Sequence, residues 1–241
     1  MVLSQRDSRH LERACRRIQS LLGSELMALV LYGEAAGSGY RPGHSPLSLI
    51  VVAKAVHPAL LSALRRDRRS WRGRRFPIPL LMDPAYIEAS LDVFPLEFLD
   101  IMDRHRLLRG DADPFAGLEI HREHLRLQVE SQARGRMLHL WEGYLGAGRS
   151  SRTLRRLLFA CAAEFEVILH GVLYLRSEDR DLNADSLLAS VEKSFDLNLP
   201  TLRRLETVRQ RGARITRREL EGVFTTCLDE VRSLVRAVNA L

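Results

Sequence analysis

The chain has 241 residues, 46% of them apolar and 28% charged, with a formal net charge of +7. That is enough apolar material for a sizeable core in one large or two small domains, and it excludes a disordered or fibrous chain. No uninterrupted apolar run approaches the ~18 residues of a membrane span and the start lacks the apolar stretch of a secretory signal, so a cytoplasmic protein without membrane attachment is expected.

Between Asp7 and Leu22, the residues Leu11, Cys15, Ile18 and Leu22 recur at helical intervals and Gly23 follows, which predicts an amphipathic helix with a glycine stop. Leu26–Tyr32 and Leu47–Ala53 are short apolar runs that predict strands covered on both faces. Pro58 to Arg69 predicts a helix, and Phe76–Met82 a strand whose Pro77 and Pro79 require an edge position. Asp83-Pro84 predicts a capped helix start. Leu96, Phe98, Leu99 and Ile101 are read as a further strand, and Leu107-Leu108 as another ending at Gly110. The turn-rich Asp111–Gly117 marks a boundary, so two domains are expected, 1–113 and 114–241.

The second half is helical throughout. Leu125, Val129, Ala133, Met137, Leu140, Trp141 and Tyr144 stripe a long helix that stops at Gly146-Ala-Gly148. Thr153–Leu175 is apolar on most of its circumference, and shorter helices begin near Asp185 and at Pro200. Thr216-Arg-Arg-Glu219 is a capping box opening a last helix. The surplus of apolar positions there, Leu228, Val231, Leu234, Val235, Val238 and Leu241, points to a homodimer through the C-terminal helices. A four- or five-helix bundle is expected.

The stretch Leu29-Val-Leu-Tyr-Gly33-Glu-Ala-Ala-Gly-Ser-Gly-Tyr-Arg-Pro-Gly-His-Ser45-Pro46-Leu47-Ser48 joins the first two strands through a small-residue loop. It resembles the signature of the nucleotidyltransferase superfamily typified by DNA polymerase β and the kanamycin nucleotidyltransferases. That signature is a hydrophobic strand, Gly-Ser, a spacer, then Ser-Asp-hydrophobic-Asp on the next strand. The resemblance implies an α/β (α+β) nucleotidyltransferase-like domain with a mixed sheet, followed by an all-α bundle. It also implies a glycine loop that holds a nucleotide triphosphate, with Gly33, Glu34, Gly37, Ser38, Ser45 and Ser48 as the nucleotide-binding candidates. The two metal-holding aspartates of the family fall on Pro46 and Ser48, and its Gly-Ser serine is Glu34. Two magnesium ions need anionic oxygen ligands, and two Asp at i and i+2 put both on one face of a strand. The expectation is therefore a protein without catalytic residues, metal ligands or cofactor, serving in nucleotide binding, regulation or assembly. The alternative is a magnesium-dependent enzyme using displaced acids, Asp83, Glu97 or Asp100.

Other constellations are weaker. Arg134 and His139 match loosely the Arg-x4-His pattern of HEPN ribonucleases. His121 and His124 have metal-like spacing without a third ligand, and Glu164, Glu166 and His170 are expected on a water-facing stripe. The basic residues are almost all Arg, with Lys54 and Lys193 the only lysines, and the cluster Arg65–Arg75 carries Trp71. Its ordinary reading is a solvated surface, so nucleic acid is not expected as a partner. Cys15, Cys161 and Cys227 are odd in number and far apart, which predicts reduced thiols.

Overall fold

A computed structural model describes residues 3–67, 75–176, 184–211 and 215–240. The chain divides into two compact units, Met1–Ile120 and His121–Leu241, so the segment 114–120 goes with the first.

The first unit opens with α1 (Gln5–Leu22), capped by Ser4, whose hydroxyl accepts from Asp7 N–H, and stopped by Gly23 at φ 51°. A 3-10 turn leads into β1 (Leu26–Tyr32), and the glycine loop leads to β2 (Ser48–Ala53). Then come α2 (Pro58–Arg66), β3 (Leu80–Met82), α3 (Pro84–Ser90), α4 (Pro95–Asp103) and β4 (His105–Arg109). The sheet order is β3-β2-β1-β4, with β1 antiparallel to both neighbours and β2 parallel to β3. The mixed sheet is thus present, and β3 lies at its edge. Pro77 and Pro79 shorten that strand to three residues, because each removes a ladder donor. Leu29, Leu31, Leu49 and Val51 form one core with Leu11, Cys15 and Ile18 of α1.

One element is corrected. Leu96–Ile101 is not a strand but part of α4, with Pro95 at its first turn and Glu97 beside the N-terminus. Proline at that position cannot serve a ladder but fits a helix start, where its missing donor has no partner to lose. Leu96, Phe98, Leu99 and Ile101 are all buried, which is why their pattern reads ambiguously.

The second unit contains, among the described residues, α5 (Arg122–Ala147), α6 (Ser151–Leu175), α7 (Ala184–Phe195), α8 (Pro200–Arg211) and α9 (Leu220–Asn239). By length and composition α6 could cross a membrane, with a mean hydropathy of 1.6 over its most apolar window. In the bundle it packs against α5, α7, α8 and α9. Half of the Thr216–Glu219 box forms: the Glu219 carboxylate accepts from Thr216 N–H (2.9 Å) and Oγ1–H (2.7 Å), but Glu219 N–H donates to Thr216 carbonyl (3.2 Å) and not to its hydroxyl, and regular helix starts at Leu220. Arg204 and Thr216 hold the Glu219 carboxyl down at about 2. At the start of α8 the buried Glu230 carboxylate of α9 accepts from Thr201 N–H (2.7 Å) and Leu202 N–H (2.9 Å), capping that helix from a neighbour.

The apolar surplus of α9 is consumed inside this bundle. Val231, Leu234, Val235 and Val238 are buried and Leu228 is half-buried, while Leu241 lies outside the described residues, so the ground given for a dimer through the last helix falls away. Trp141 and Tyr144, read as core, stand at the surface, with Tyr144 stacked on Phe224 at 4.1 Å between ring centroids.

Candidate functional site: the glycine loop and the start of the second strand

The loop between β1 and β2 begins with a 3-10 turn, Gly33–Ala35, in which Ala36 N–H and Gly37 N–H donate back to Gly33 carbonyl. Gly33 and Gly43 have φ of 73° and 78°, left-handed conformations that favour glycine. Gly37 is buried for a different reason. A Cβ there would stand 2.9 Å from Cδ of Arg104, whose side chain crosses the loop and whose carbonyl accepts from Gly33 N–H.

The candidate residues do not form an open cradle. Ser45 is fully buried, and its Oγ accepts from Arg41 N–H (2.9 Å) while donating to Glu34 Oε2 (2.9 Å). The Arg41 guanidinium lies 3.9 Å from the same carboxylate. Glu34 thus ties the two ends of the loop together and finds its own counter-charge. Ser38 is exposed on the loop's outer side, whereas Ser48 is half-buried at the start of β2.

A second network anchors the loop from below. Asp7 of α1 is fully buried and paired with the Arg75 guanidinium, whose Nη2–H donates to Asp7 Oδ2 (2.9 Å) and to Ser45 carbonyl (3.0 Å). Tyr40 of the loop donates to Asp7 (2.5 Å) and accepts from Ser4 N–H (3.0 Å). Arg75, with help from Tyr40 and Ser4, outweighs burial and holds the Asp7 carboxyl well below the usual carboxylate range. The sequence reading missed this site. Its signal was a carboxylate at position 7 of a helix whose positions 11, 15, 18 and 22 are all buried and apolar. Arg75, read as part of a basic surface cluster, turns inward, Asp67 pairs with Arg17 (2.5 Å), and 68–74, including Trp71, lie outside the described residues.

Register places Ser48, Tyr32 and His105 opposite one another on three adjacent strands, hence on one face at one end of the sheet. His105 sits between Met102 carbonyl (3.0 Å from Nδ1) and Asp113 (2.7 Å from Nε2), with its ring edge-on to Phe115. Burial opposes ionisation of Asp113, but hydrogen bonds from His105 and Phe115 N–H prevail and lower its pKa. Burial and the nearby Asp100 carboxylate push the Tyr32 phenol up.

This geometry fits no metal. Pro46 is exposed and has no donor atom, and Ser48 offers a neutral hydroxyl. The displaced acids do not make good the loss. Asp83 follows Met82, which pairs with Val52, so it stands level with Ala53 at the other end of β2, roughly 16 Å from Ser48 at the rise of a strand. It is spent there on Tyr86 N–H (2.9 Å) and Val56 N–H (3.0 Å), which lower its pKa. Glu97 is exposed on α4, and Asp100 is ion-paired with Arg104. In the stretch leading to β3, Ile78 is 70% exposed and no acid stands between Phe76 and Met82.

The bundle's candidates are equally committed. Arg134 bonds to Glu130 (2.8 Å) and Asn239 (3.2 Å), and His139 lies five residues on, about 140° around the helix. The His121 and His124 rings meet edge-on at 5.7 Å, and no group of three metal-ligating side chains occurs among the described residues. Of the stripe expected to face water only part does: Glu164 is partly exposed and paired with Arg136 (3.2 Å), Glu166 is half-buried at a small cavity with Phe165 and Leu169, and His170 is buried. Cys15, Cys161 and Cys227 are buried free thiols.

No protein-family model and no curated protein matches the sequence. Among solved structures, the chain is similar to the spectinomycin adenyltransferase of Enterococcus faecialis, crystallised with ATP and spectinomycin. That likeness has a TM-score of 0.60 at 10% identity and covers 93% of this chain and 99% of the other. Together with the mixed sheet and the helices that follow it, this shows that the chain has the nucleotidyltransferase fold in its kanamycin-nucleotidyltransferase-like form.

Proposed function

We propose that this protein carries the nucleotidyltransferase fold without its reaction and serves a regulatory or assembly role. The observation that carries this reading is the pair Pro46 and Ser48, with each candidate replacement acid far away, exposed on a helix or already paired. Transfer of a nucleotidyl group needs the developing phosphate charge to be neutralised, and losing both metal carboxylates removes on the order of several kcal/mol of that stabilisation. The Glu34–Ser45–Arg41 contact adds to it, since a carboxylate already occupies donors that the loop would offer to phosphate.

The similar adenyltransferase was crystallised with ATP, so nucleotides are the ligands to try first. Binding here is weak and independent of magnesium, because no carboxylate pair links metal to phosphate. Calorimetry with ATP, GTP, CTP and UTP, with and without magnesium, tests this alongside radiolabelled transfer to an aminoglycoside, to RNA and to the protein itself. The expected result is no transfer and the same weak heats in both conditions. Tight, magnesium-dependent binding of any nucleotide, or transfer abolished by Asp100→Ala, would overturn the proposal.

A further inference from the structure

Helix α1 exposes Arg6, Arg9, Arg13, Arg16 and Arg17, and at about 100° per residue these arginines fall within about 100° of one another, opposite the buried Leu11, Ile18 and Leu22. The helix packs on the sheet face of Leu29 and Leu31, so Ser48, which pairs with Tyr32, stands on the opposite face. Arg106 is exposed too and stands on the α1 side of the sheet, since its register partner is Leu31.

The carboxylates of α1 are claimed by arginines from elsewhere in the fold. Asp7 is buried against Arg75, and both oxygens of Glu12 accept from Arg109 Nη2–H (2.7 Å), leaving Arg16 to share Glu12 (2.8 Å). Arg17 pairs with Asp67 (2.5 Å), but Arg6, Arg9 and Arg13 have no ion pair among the described residues, Arg9 meeting only Gln5 carbonyl (3.4 Å). Interleaved with acids in the sequence, these arginines read as a self-neutralised surface, and the fold takes the acids away. The row also opposes its own helix. Arg6 stands at the N-terminus, where the helix dipole disfavours a cation, and no basic residue occupies the last turn, where one would be favoured. Arg6–Arg9, Arg9–Arg13 and Arg13–Arg16 are like-charged neighbours three or four residues apart, each destabilising. An anionic chain laid along the row relieves these repulsions together.

We infer that this face of α1 binds the phosphate backbone of a single-stranded nucleic acid. Steps of three and four residues put a guanidinium every ~5 Å over a row of about 15 Å, and a flexible strand with one charge per nucleotide can follow it, phosphate by phosphate. The planar arginine fork meets phosphate oxygens in pairs. A protein partner fits poorly, because α1 exposes no large apolar or aromatic side chain to anchor a desolvated contact. A membrane fits poorly too, because the apolar side of α1 is spent in the core with Leu29 and Leu31 and cannot enter a bilayer. With no aromatic side chain on the row to stack a base, binding is independent of sequence and carried by charge.

Fluorescence anisotropy of a labelled oligouridylate of about 20 nucleotides with the full chain, in roughly 25–200 mM potassium chloride, reads this directly. The dissociation constant should be on the order of 10 µM near ~100 mM salt, and the logarithm of the affinity should fall against that of salt with a slope of about −3, from Arg6, Arg9, Arg13 and Arg16 at about −0.7 each. Arg6→Glu with Arg13→Glu turns each of the like-charged pairs into an attractive one, so it should raise the melting temperature while weakening binding roughly tenfold or more and flattening the slope by about 1.4. Arg217→Glu with Arg218→Glu makes the same change of net charge at exposed positions of the second unit and should leave affinity and slope nearly unchanged. Equal losses in the two double variants would reduce the effect to net charge and overturn the inference. So would no binding at the lowest salt, or tighter binding of polyglutamate or of phosphatidylserine vesicles than of the oligouridylate.

Discussion

The Asp7→Asn variant tests the link between the first helix and the glycine loop. Asp7 is fully buried and its carboxylate serves Arg75, Tyr40 and Asp7's own cap residue Ser4 indirectly through that tyrosine. Asparagine keeps the shape and one acceptor but removes the charge facing a guanidinium. Removing one partner of a buried ion pair costs about 3–5 kcal/mol, because the other is left uncompensated. The Arg75 side chain is 20% exposed, so water recovers part of that and about 2–3 kcal/mol is expected. For a chain of this size that is a fall of roughly 5–10 °C in melting temperature. The pH dependence follows from the lowered pKa of Asp7. A carboxyl more acidic in the folded than in the unfolded state contributes stability that is present above the unfolded value, near 4, and lost as pH falls towards the folded one. Denaturant titrations of both proteins should therefore run parallel above about pH 5, and the gap should close as the pH drops below 4. A loss under 1 kcal/mol, or a gap that persists undiminished into acid, would show that the Asp7–Arg75 pair does not hold the loop to α1.

Glu230 reverses that sign. Burial raises its carboxyl above the ordinary value despite hydrogen bonds from Leu202 and Thr201, so the folded state binds its proton more tightly and stability declines as pH climbs from the unfolded pKa towards the raised one. Glu230→Gln should flatten that decline in thermal melts, whereas Glu230→Leu should cost about 2–4 kcal/mol at neutral pH by stranding two helix-start N–H groups. Pro46→Asp with Ser48→Asp should let the chain bind manganese, read by water proton relaxation, without restoring transfer, since the stretch Phe76–Met82 supplies no third acid. Restored transfer would mean that the first pair alone was missing.

The strands and helices that carry the fold were legible because their signals are local. Leu26–Tyr32 is apolar throughout and closed by glycine, and it is one of the two central strands, paired on both sides. Leu96–Ile101 reads as a strand because the segment is short and its buried Leu96 and Phe98 alternate with the exposed Glu97, which imitates a strand over too few residues to show the helical period, leaving Pro95 as the signal. The apolar face of α9 was read correctly as apolar but assigned to a partner, since sequence counts apolar positions and cannot count the helices that will cover them. Conversely, Trp141 continues Leu125, Val129 and Ala133 only in steps of four, each of which drifts about 40° round the helix, so it ends well off the side where Leu140 and Ala147 stay buried.

At the candidate site the sequence specified what is missing but not what replaced it. The absence of acids at Pro46 and Ser48 is a property of two positions and needs no structure. The role of Glu34 depends on Ser45, eleven residues away, and the fixing of Tyr40 depends on Asp7 and Arg75, thirty-three and thirty-five residues off in opposite directions. Read alone, Glu34 is a charge where a loop would meet phosphate, and so an obstacle. In the fold its carboxylate satisfies Ser45 and faces Arg41, so the loop is closed by its own side chains and no bound anion is needed to order it.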